Sequence, residues 1–310
     1  MDWDSPEITI FLNAALDEDI GAADLTARAL VGAQAQARAS ILARREIVVA
    51  GLPLAERIFR ALDPQARFEA HPEEGSTAPA GSVLAHVEGR ARALLTAERT
   101  ALNILAHLCG VATLTRAFVR AMSGTTTRIR DTRKTLPLLR RLEKYAVRAG
   151  GGVNHRMGLY DAMLIKENHI AAAGGVREAL RRARAFLPSP GGAGREMTAY
   201  ESFAPPAAVA WDEVVPIQIE VRNEGELREA LAGKADSVLL DNTTPGEAAR
   251  LVALARGLRP ECVLELSGGV TLDNAGAYAQ AGADFIAVGA LTHSAPAADL
   301  SLLVESSGHA

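Results

Sequence analysis

Two positively charged residues stand side by side near the middle of the chain, directly after a short β-like segment. They are Arg133 and Lys134, in the run Asp131–Thr135 that also contains two threonine hydroxyls. Arginine binds a carboxylate or a phosphate through paired hydrogen bonds, and lysine adds a compact charge. An isolated Arg-Lys pair is usually an exposed turn. Binding of a multiply charged anion is favoured only if further cations converge on the same face.

Further cations occur at the next candidate positions. His155 and Arg156 follow the glycine run 150–152, and Lys166 ends the next β-like segment. Four permanent cations and a titratable histidine at one rim would repel one another without an anionic ligand. Each residue taken singly has a plainer interpretation, as an exposed charge or, for His155, a structural histidine. Together they predict a site for an anion with several negative charges.

Two carboxylates end consecutive β-like segments further along the chain. These are Glu220 and Asp241, and neighbouring carboxylates suit a Mg²⁺ ion, a sugar diol or a general acid–base pair. The alternative for Asp241 is that it only caps the helix that begins near Pro245. We favour the diol or metal interpretation because the predicted cations share the same rim.

Glycine-containing turns end the last two β-like segments, at Ser267-Gly268-Gly269 and Val288-Gly289-Ala290. Backbone N–H groups in such turns can hold a phosphate, and the last strands of βα barrels are its usual position. A single Gly-Gly would indicate only a turn. A phosphate cradle, a carboxylate pair and a group of cations together predict a phosphorylated sugar that meets a polycarboxylate or pyrophosphate.

The elements that must position these residues form a regular series. Short apolar segments alternate with helical ones, at a spacing of one strand and one helix per unit. Such units form parallel strands in a barrel or an open sheet, with reactive groups at the carboxyl ends of the strands. The predicted strands are 127–131, 163–166, 217–220, 237–241, 263–267 and 285–289.

The first third of the chain has a different pattern, which predicts a small α+β domain. We expect a helix at 8–15, strands at 37–49 and 81–89, and a long helical stretch at 91–121 that is interrupted at Gly110. We place the domain boundaries at 1–115 and 116–290. The Pro- and Gly-rich stretch 188–212 predicts an extended loop on the amino-terminal face of the barrel, away from the chemistry.

Composition excludes several classes of protein. The 310 residues include 33 Lys and Arg against 37 Asp and Glu, a net charge of −4, so neither nucleic acid nor an anionic membrane is an expected partner. The two cysteines lie far apart, which disfavours a disulfide framework and a zinc site. No leader pattern or long uncharged apolar run is present, so we expect a cytoplasmic protein. P-loop and dinucleotide-binding fingerprints are also absent.

Eight motifs in order give the sequence a specific resemblance over nearly its whole length. It resembles the quinolinate phosphoribosyltransferases, also called carboxylating nicotinate-nucleotide pyrophosphorylases. The motifs are Glu98–Asn103, Asp131–Thr135, Leu142–Arg148, Asn154–Arg156, Leu164–His169, Leu240–Asn242, Leu266–Gly269 and Val288–Ala295.

The resemblance implies a fold and a reaction. The fold would be an N-terminal open-faced α/β sandwich, joined by part of 291–310, and an incomplete TIM-like α/β barrel, the type II phosphoribosyltransferase architecture. The chain would form a homodimer or hexamer with its active site shared across the interface. The Mg²⁺-dependent reaction would join quinolinate and phosphoribosyl pyrophosphate into nicotinate mononucleotide, with loss of pyrophosphate and carbon dioxide, in NAD biosynthesis.

The resemblance also implies residue roles. Arg99 would reach quinolinate in the partner subunit's site, and Lys134 would serve the pyrophosphate. Glu220 and Asp241 would bind the ribose hydroxyls with Mg²⁺, and we predict that they act with Lys166 as the catalytic residues. The other predicted contacts are Thr132 with the substrate, Arg133, His155, Arg156 and Lys166 with the quinolinate carboxylates, and Ser267, Gly268, Gly269, Val288, Gly289 and Ala290 with the 5-phosphate.

Two features depart from the family pattern, and three other interpretations compete with it. Gln218 stands where the pattern leads us to expect an acidic residue, and the stretch 188–212 is longer than usual. The competing interpretations are a diverged paralogue, such as the molybdenum-associated relatives, a Schiff-base aldolase with Lys166 as nucleophile, and a non-enzymatic binding protein.

Overall fold

The computed structural model describes residues 1–187 and 216–305. These residues form two compact units. The first unit contains Met1–Val119, Lys134–Val153 and the described part of Gly289–Ala310; the second contains Arg120–Arg133 and the described part of Asn154–Val288. The predicted loop at 188–212 lies outside the described residues. The boundaries at 115/116 and 290/291 stay predictions, with 134–153 counted here in the first unit.

The helices and strands alternate along most of the chain. In chain order they are α1 Pro6–Ile20, α2 Leu25–Leu30, β1 Gln36–Ala43, β2 Ile47–Val48, α3 Leu52–Leu62, β3 Arg67–Ala70, β4 Thr77–Ala78, β5 Val83–Arg90, α4 Ala91–Ala121, β6 Arg128–Arg130, α5 Arg140–Ala149, β7 Met163–Ile165, α6 Glu167–Ala173, α7 Val176–Phe186, β8 Ile217–Val221, α8 Glu224–Ala232, β9 Ser237–Asp241, α9 Pro245–Leu258, β10 Val263–Ser267, α10 Leu272–Ala279, β11 Phe285–Ala287, α11 Ala290–His293 and β12 Leu300–Glu305.

The first unit is built on an antiparallel sheet of four strands in the order β12-β1-β5-β3. Ile41 on β1 and Val87 on β5 are fully buried, as are Ile58 and Phe59 on α3. Alternation along the strands thus gives the sheet one apolar face and one polar face. The helix predicted at 8–15 and the strand predicted at 81–89 are confirmed. The strand predicted at 37–49 is divided: β1 ends at Ala43, and β2 pairs with β4 in a separate two-stranded sheet.

Polar side chains fix the helices of the first unit. Glu74 accepts the N–H groups of Gly51 and Leu52 at 2.7 and 2.9 Å, which satisfies the start of α3. On α5, the fully buried Glu143 lies 2.8 Å from Nε2 of His107 on α4. These contacts explain why α5 packs with the first unit although it follows β6 in sequence.

The expected interruption of α4 at Gly110 is wrong, since the helix runs unbroken from Ala91 to Ala121. A Cβ atom at Gly110 would lie 2.2 Å from the carbonyl oxygen of Pro296. Glycine is needed here because another backbone passes against the helix, not because the helix ends. By length and composition, this is the one helix of the described residues that could cross a membrane, and half of its most apolar window is buried in the fold.

The second unit contains six parallel strands in the order β6-β11-β10-β9-β8-β7, so β6 and β7 form the two edges. All six predicted strands are confirmed. Outward residues such as Ile219 and Val238 are fully buried beneath the helices. The opposite face carries polar side chains, among them Gln218, Glu220 and Glu265.

Candidate active site

Three of the predicted catalytic residues end three neighbouring strands. Lys166 follows β7, Glu220 lies near the end of β8, and Asp241 ends β9. The Lys166 ammonium is 3.9 Å from Oε2 of Glu220. The backbone N–H of Lys166 donates to Nδ1 of His169 at 2.9 Å, so α6 starts directly at the reactive lysine. The predicted proximity of these residues at the carboxyl ends is confirmed.

The two carboxylates interact electrostatically. Burial and then the charge of Asp241 raise the pKa of Glu220, and Lys166 opposes the shift. Thr244 caps α9 by accepting the N–H of Glu247, so Asp241 does not have the capping role that was its alternative. The pair is therefore available to an electropositive partner.

The carboxylate pair fits a magnesium ion that shares its coordination with a substrate. Within residues 1–187 and 216–305, no group of three or more His, Cys, Asp or Glu side chains is placed to hold a metal by itself. Mg²⁺ in phosphate-handling enzymes is commonly bound by one or two carboxylates plus water and substrate phosphates. Burial and then the charge of Asp241 raise the pKa of Glu220, and a bound cation would favour the ionised form of both carboxylates.

The turn after β10 has a backbone shape that requires glycine. Gly268 and Gly269 have φ angles of +93° and +65°. A Cβ atom on Gly268 would lie 2.1 Å from Oδ1 of Asn242, whose own N–H donates to the carbonyl of Ser267 at 2.8 Å. The loops after β9 and β10 therefore interlock, with the backbone of the glycine turn at the strand ends. Such a turn suits a phosphate group.

Asp131 links the cationic residues that follow β6 to those that precede β7. It is fully buried; Oδ1 accepts the N–H of His155 at 2.8 Å, and Oδ2 accepts the side-chain amide of Asn154 at 2.6 Å. Thr132 and Arg133 follow it directly. Burial, and then the nearby charge of Arg133, lower the pKa of Arg156. Arg133 is therefore near Arg156, while the convergence of all the predicted cations on one rim stays a prediction.

A network of polar side chains inside the six-stranded sheet was not predicted from the sequence. Arg130 forms a 2.7 Å ion pair with the fully buried Glu265 and lies 3.8 Å above the ring of Phe285. Nε2 of His155 lies 2.9 Å from Oε1 of Gln218 and 3.5 Å from Oε1 of Glu265. For Glu265 the signal was present in the sequence, because it interrupts the apolar run of β10 at an inward position. For Arg130 it was weaker, because β6 contains a second arginine, Arg128.

Four predicted substrate contacts lie in the first unit. Thr292 donates to the carbonyl oxygen of Lys134 at 2.7 Å, and a Cβ on Gly289 would lie 3.0 Å from Cδ of Lys134. Lys134 therefore lies next to Gly289, in the turn 288–290. Arg99 is exposed on α4. Val288 belongs to the second unit, where its N–H donates to the carbonyl of Arg130 at 2.9 Å. The ligand roles of all these residues stay predictions.

A parallel α/β sheet with paired carboxylates, clustered cations and a glycine turn at its strand ends defines a barrel-type protein that handles phosphorylated anions. Two family models cover most of the chain. The quinolinate phosphoribosyl transferase N-terminal domain matches residues 24–109, and the C-terminal domain matches residues 111–204 and 200–303. The chain therefore belongs to the quinolinate phosphoribosyltransferase family, with its combination of α/β sandwich and incomplete α/β barrel.

Individual relatives agree with this assignment. The chain is 39% identical to a probable carboxylating nicotinate-nucleotide pyrophosphorylase of Bacillus subtilis, over 94% of this chain and 91% of that one. It is 40% identical to the Mycobacterium leprae protein of that name, over 94% and 95%. The solved nicotinate-nucleotide pyrophosphorylase of Francisella tularensis is similar with a TM-score of 0.83 and 36% identity, covering 97% of this chain and 98% of that one. This family assignment disfavours the aldolase and binding-protein interpretations.

Proposed function

We propose that this chain transfers the phosphoribosyl group of phosphoribosyl pyrophosphate to quinolinate. The products are nicotinate mononucleotide, pyrophosphate and carbon dioxide, and the reaction belongs to NAD biosynthesis. The observation that carries the proposal is the row of Lys166, Glu220 and Asp241 on adjacent strand ends. The names of the relatives, carboxylating nicotinate-nucleotide pyrophosphorylases, support it.

Cations of the second unit bind quinolinate in this proposal. Quinolinate carries two carboxylates on adjacent ring carbons, and Arg133 lies close enough to Arg156 for its charge to contribute, after burial, to the lowered pKa of Arg156. Bidentate pairing of an arginine with a carboxylate fixes the plane of the ring. Lys166 adds a third positive charge at the edge nearest Glu220. Thr132 supplies a hydroxyl next to Arg133.

The carboxylates act on the ribose. As the bond from the anomeric carbon to pyrophosphate breaks, positive charge develops on the sugar, and Glu220 and Asp241 stabilise it while accepting hydrogen bonds from the ribose hydroxyls. The turns 267–269 and 288–290 hold the 5-phosphate, and Lys134 neutralises the leaving pyrophosphate. When bound at Glu220 and Asp241, Mg²⁺ would supply further charge neutralisation on the pyrophosphate.

The second chemical step needs no organic cofactor. Attachment of the ribose makes the ring nitrogen quaternary, and the resulting pyridinium accepts the electron pair that the departing carbon dioxide leaves behind. The protein's contribution is to keep the ring oriented while this carboxylate leaves and a proton takes its place.

The finer features of the proposal concern assembly and location. The exposed Arg99 on α4 would contact quinolinate bound to another subunit, in a homodimer or hexamer. We also place the protein in the cytoplasm.

Substrate choice tests the proposal. The purified protein is incubated with phosphoribosyl pyrophosphate, Mg²⁺ and either quinolinate or nicotinate, and nicotinate mononucleotide is quantified. We expect product from quinolinate and at least about a hundredfold less from nicotinate, which lacks the second carboxylate and so offers the cations only one carboxylate to bind. Equal rates with both acids, or no product from quinolinate with folded protein, would refute it.

A further inference from the structure

We propose that Gln218 is a positioning residue that holds His155 as the neutral imidazole with its proton on Nε2, and that His155 in turn positions Arg156. The inference rests on the proposed function for its kinetic consequence, but its structural part stands by itself.

A directed chain of hydrogen bonds supports the assignment. The backbone N–H of Arg156 donates to Nδ1 of His155 at 2.7 Å, so Nδ1 is an acceptor and carries no proton. The other nitrogen, Nε2, then bears the proton and donates to Oε1 of Gln218 at 2.9 Å. The amide of Gln218 is oriented by its NH₂ group, which lies 3.2 Å from Oγ of Ser237 on β9. In this arrangement both ring nitrogens of His155 have protein partners.

The charges around the ring explain why an amide suits position 218. Glu265 faces Nε2 from β10 at 3.5 Å, and its other oxygen pairs with Arg130 on β6. Asp131 lies on the backbone side of His155, and Arg156 follows it. A glutamate at 218 would add a second carboxylate beside Nε2 and favour the doubly protonated imidazolium. That form has no acceptor on Nδ1 for the N–H of Arg156.

The protonation state of His155 affects the position of Arg156. Its N–H is held by the ring of His155, and Nη1 of its guanidinium donates to the carbonyl of Ala162 at 3.0 Å. Two fixed points along one residue restrict the directions in which the guanidinium can point. Gln218 and Ser237 on the sheet therefore determine, through His155, the position of an arginine that is proposed to bind an anion.

Nitrogen NMR of the histidine rings tests the structural part without any turnover. The chain has 7 histidines, so selective ¹⁵N labelling gives a readable spectrum, and His155→Asn identifies the signals of His155. We expect one pyrrole-like signal for Nε2 and one pyridine-like signal for Nδ1. In Gln218→Glu we expect both nitrogens of that ring to become pyrrole-like. A proton on Nδ1, or an imidazolium in the unaltered protein at pH 7, would overturn the proposal.

Kinetics test the consequence for substrate. In Gln218→Leu, loss of one buried hydrogen-bond acceptor should raise the KM for quinolinate about tenfold and leave the KM for phosphoribosyl pyrophosphate within about twofold. Thr127→Val is the matched control, since it also removes a buried side-chain hydrogen bond of the second unit, to the carbonyls of Ala279 and Ala283. A positioning role would be contradicted if both KM values rose equally in Gln218→Leu. It would also be contradicted if Thr127→Val raised the KM for quinolinate alone. Absence of all turnover in the unaltered protein would instead refute the proposed function.

Discussion

Glu220 is half-buried next to Asp241, and both burial and that neighbouring charge raise its pKa. A carboxyl group with a higher pKa in the folded protein than in the unfolded chain binds protons more readily when folded. Its contribution to stability is therefore present at low pH and is lost as the pH rises through the folded pKa. At pH 7 the ionised side chain therefore lowers the stability of the fold.

Glu220→Gln should separate stability from activity. At pH 7 we expect a melting temperature equal to or above that of the unaltered protein, because a like charge beside Asp241 is removed, and the difference should shrink near pH 4. Turnover should fall at least about a hundredfold, since charge on the ribose is no longer stabilised. Thermal unfolding at both pH values and product formation are measured; a clear loss of stability at pH 7 would contradict the assigned electrostatics.

Among the elements, the glycine turn after β10 can be tested by substitution of Gly268. Alanine at Gly268 meets both a positive φ and a Cβ position 2.1 Å from Oδ1 of Asn242. Gly268→Ala should cost about 1–3 kcal/mol of unfolding free energy and raise the KM for phosphoribosyl pyrophosphate at least about tenfold, because the phosphate turn is displaced. Gly246→Ala on α9, where a Cβ meets nothing within 4 Å, is the control; it should leave the KM unchanged and the unfolding free energy unchanged or raised by up to about 1 kcal/mol. An unchanged KM in Gly268→Ala would exclude a role for this turn.

Gly110 in α4 gives a second test at the same scale. Its hydrogen faces a carbonyl that a methyl group cannot approach, so Gly110→Ala should lower the unfolding free energy by about 2 kcal/mol or more, despite the better helix propensity of alanine. Gly257→Ala, in α9 with open space around it, should be neutral or stabilising by up to about 1 kcal/mol. Chemical denaturation of both variants checks this; equal effects would show that the close approach to Pro296 is relaxed in solution.

The elements also show what the sequence could and could not predict. Strand positions followed from apolar runs ending in polar residues, and parallel pairing placed Glu220 beside Asp241. Gly110 was misinterpreted because a break and a close backbone contact have the same local signature, and only the position of Pro296 distinguishes them. The ring contacts of His155 depend on Gln218, which is 63 residues away. A contact between residues so far apart in the sequence cannot be predicted from the residues around either of them.

At the scale of the whole molecule, the proposal that subunits share active sites predicts complementation. Arg99→Ala and Lys166→Ala proteins should each be inactive. After equal mixing and full subunit exchange, about half of the dimers are hybrids, and one of the two sites in each hybrid combines an intact Arg99 with an intact Lys166. About a quarter of all sites should therefore be active. Activity is measured against the exchanged fraction determined by native mass spectrometry. Full exchange without recovery would show that Arg99 does not act across an interface.

The most direct test of the central claim is the stoichiometry of one reaction mixture. The protein is given phosphoribosyl pyrophosphate, Mg²⁺ and quinolinate labelled in the 2-carboxyl group, and labelled carbon dioxide, pyrophosphate and nicotinate mononucleotide are quantified together. We expect equal amounts of all three products, and loss of all three in Glu220→Gln. Pyrophosphate released without the nucleotide, or a nucleotide that retains the label, would contradict it.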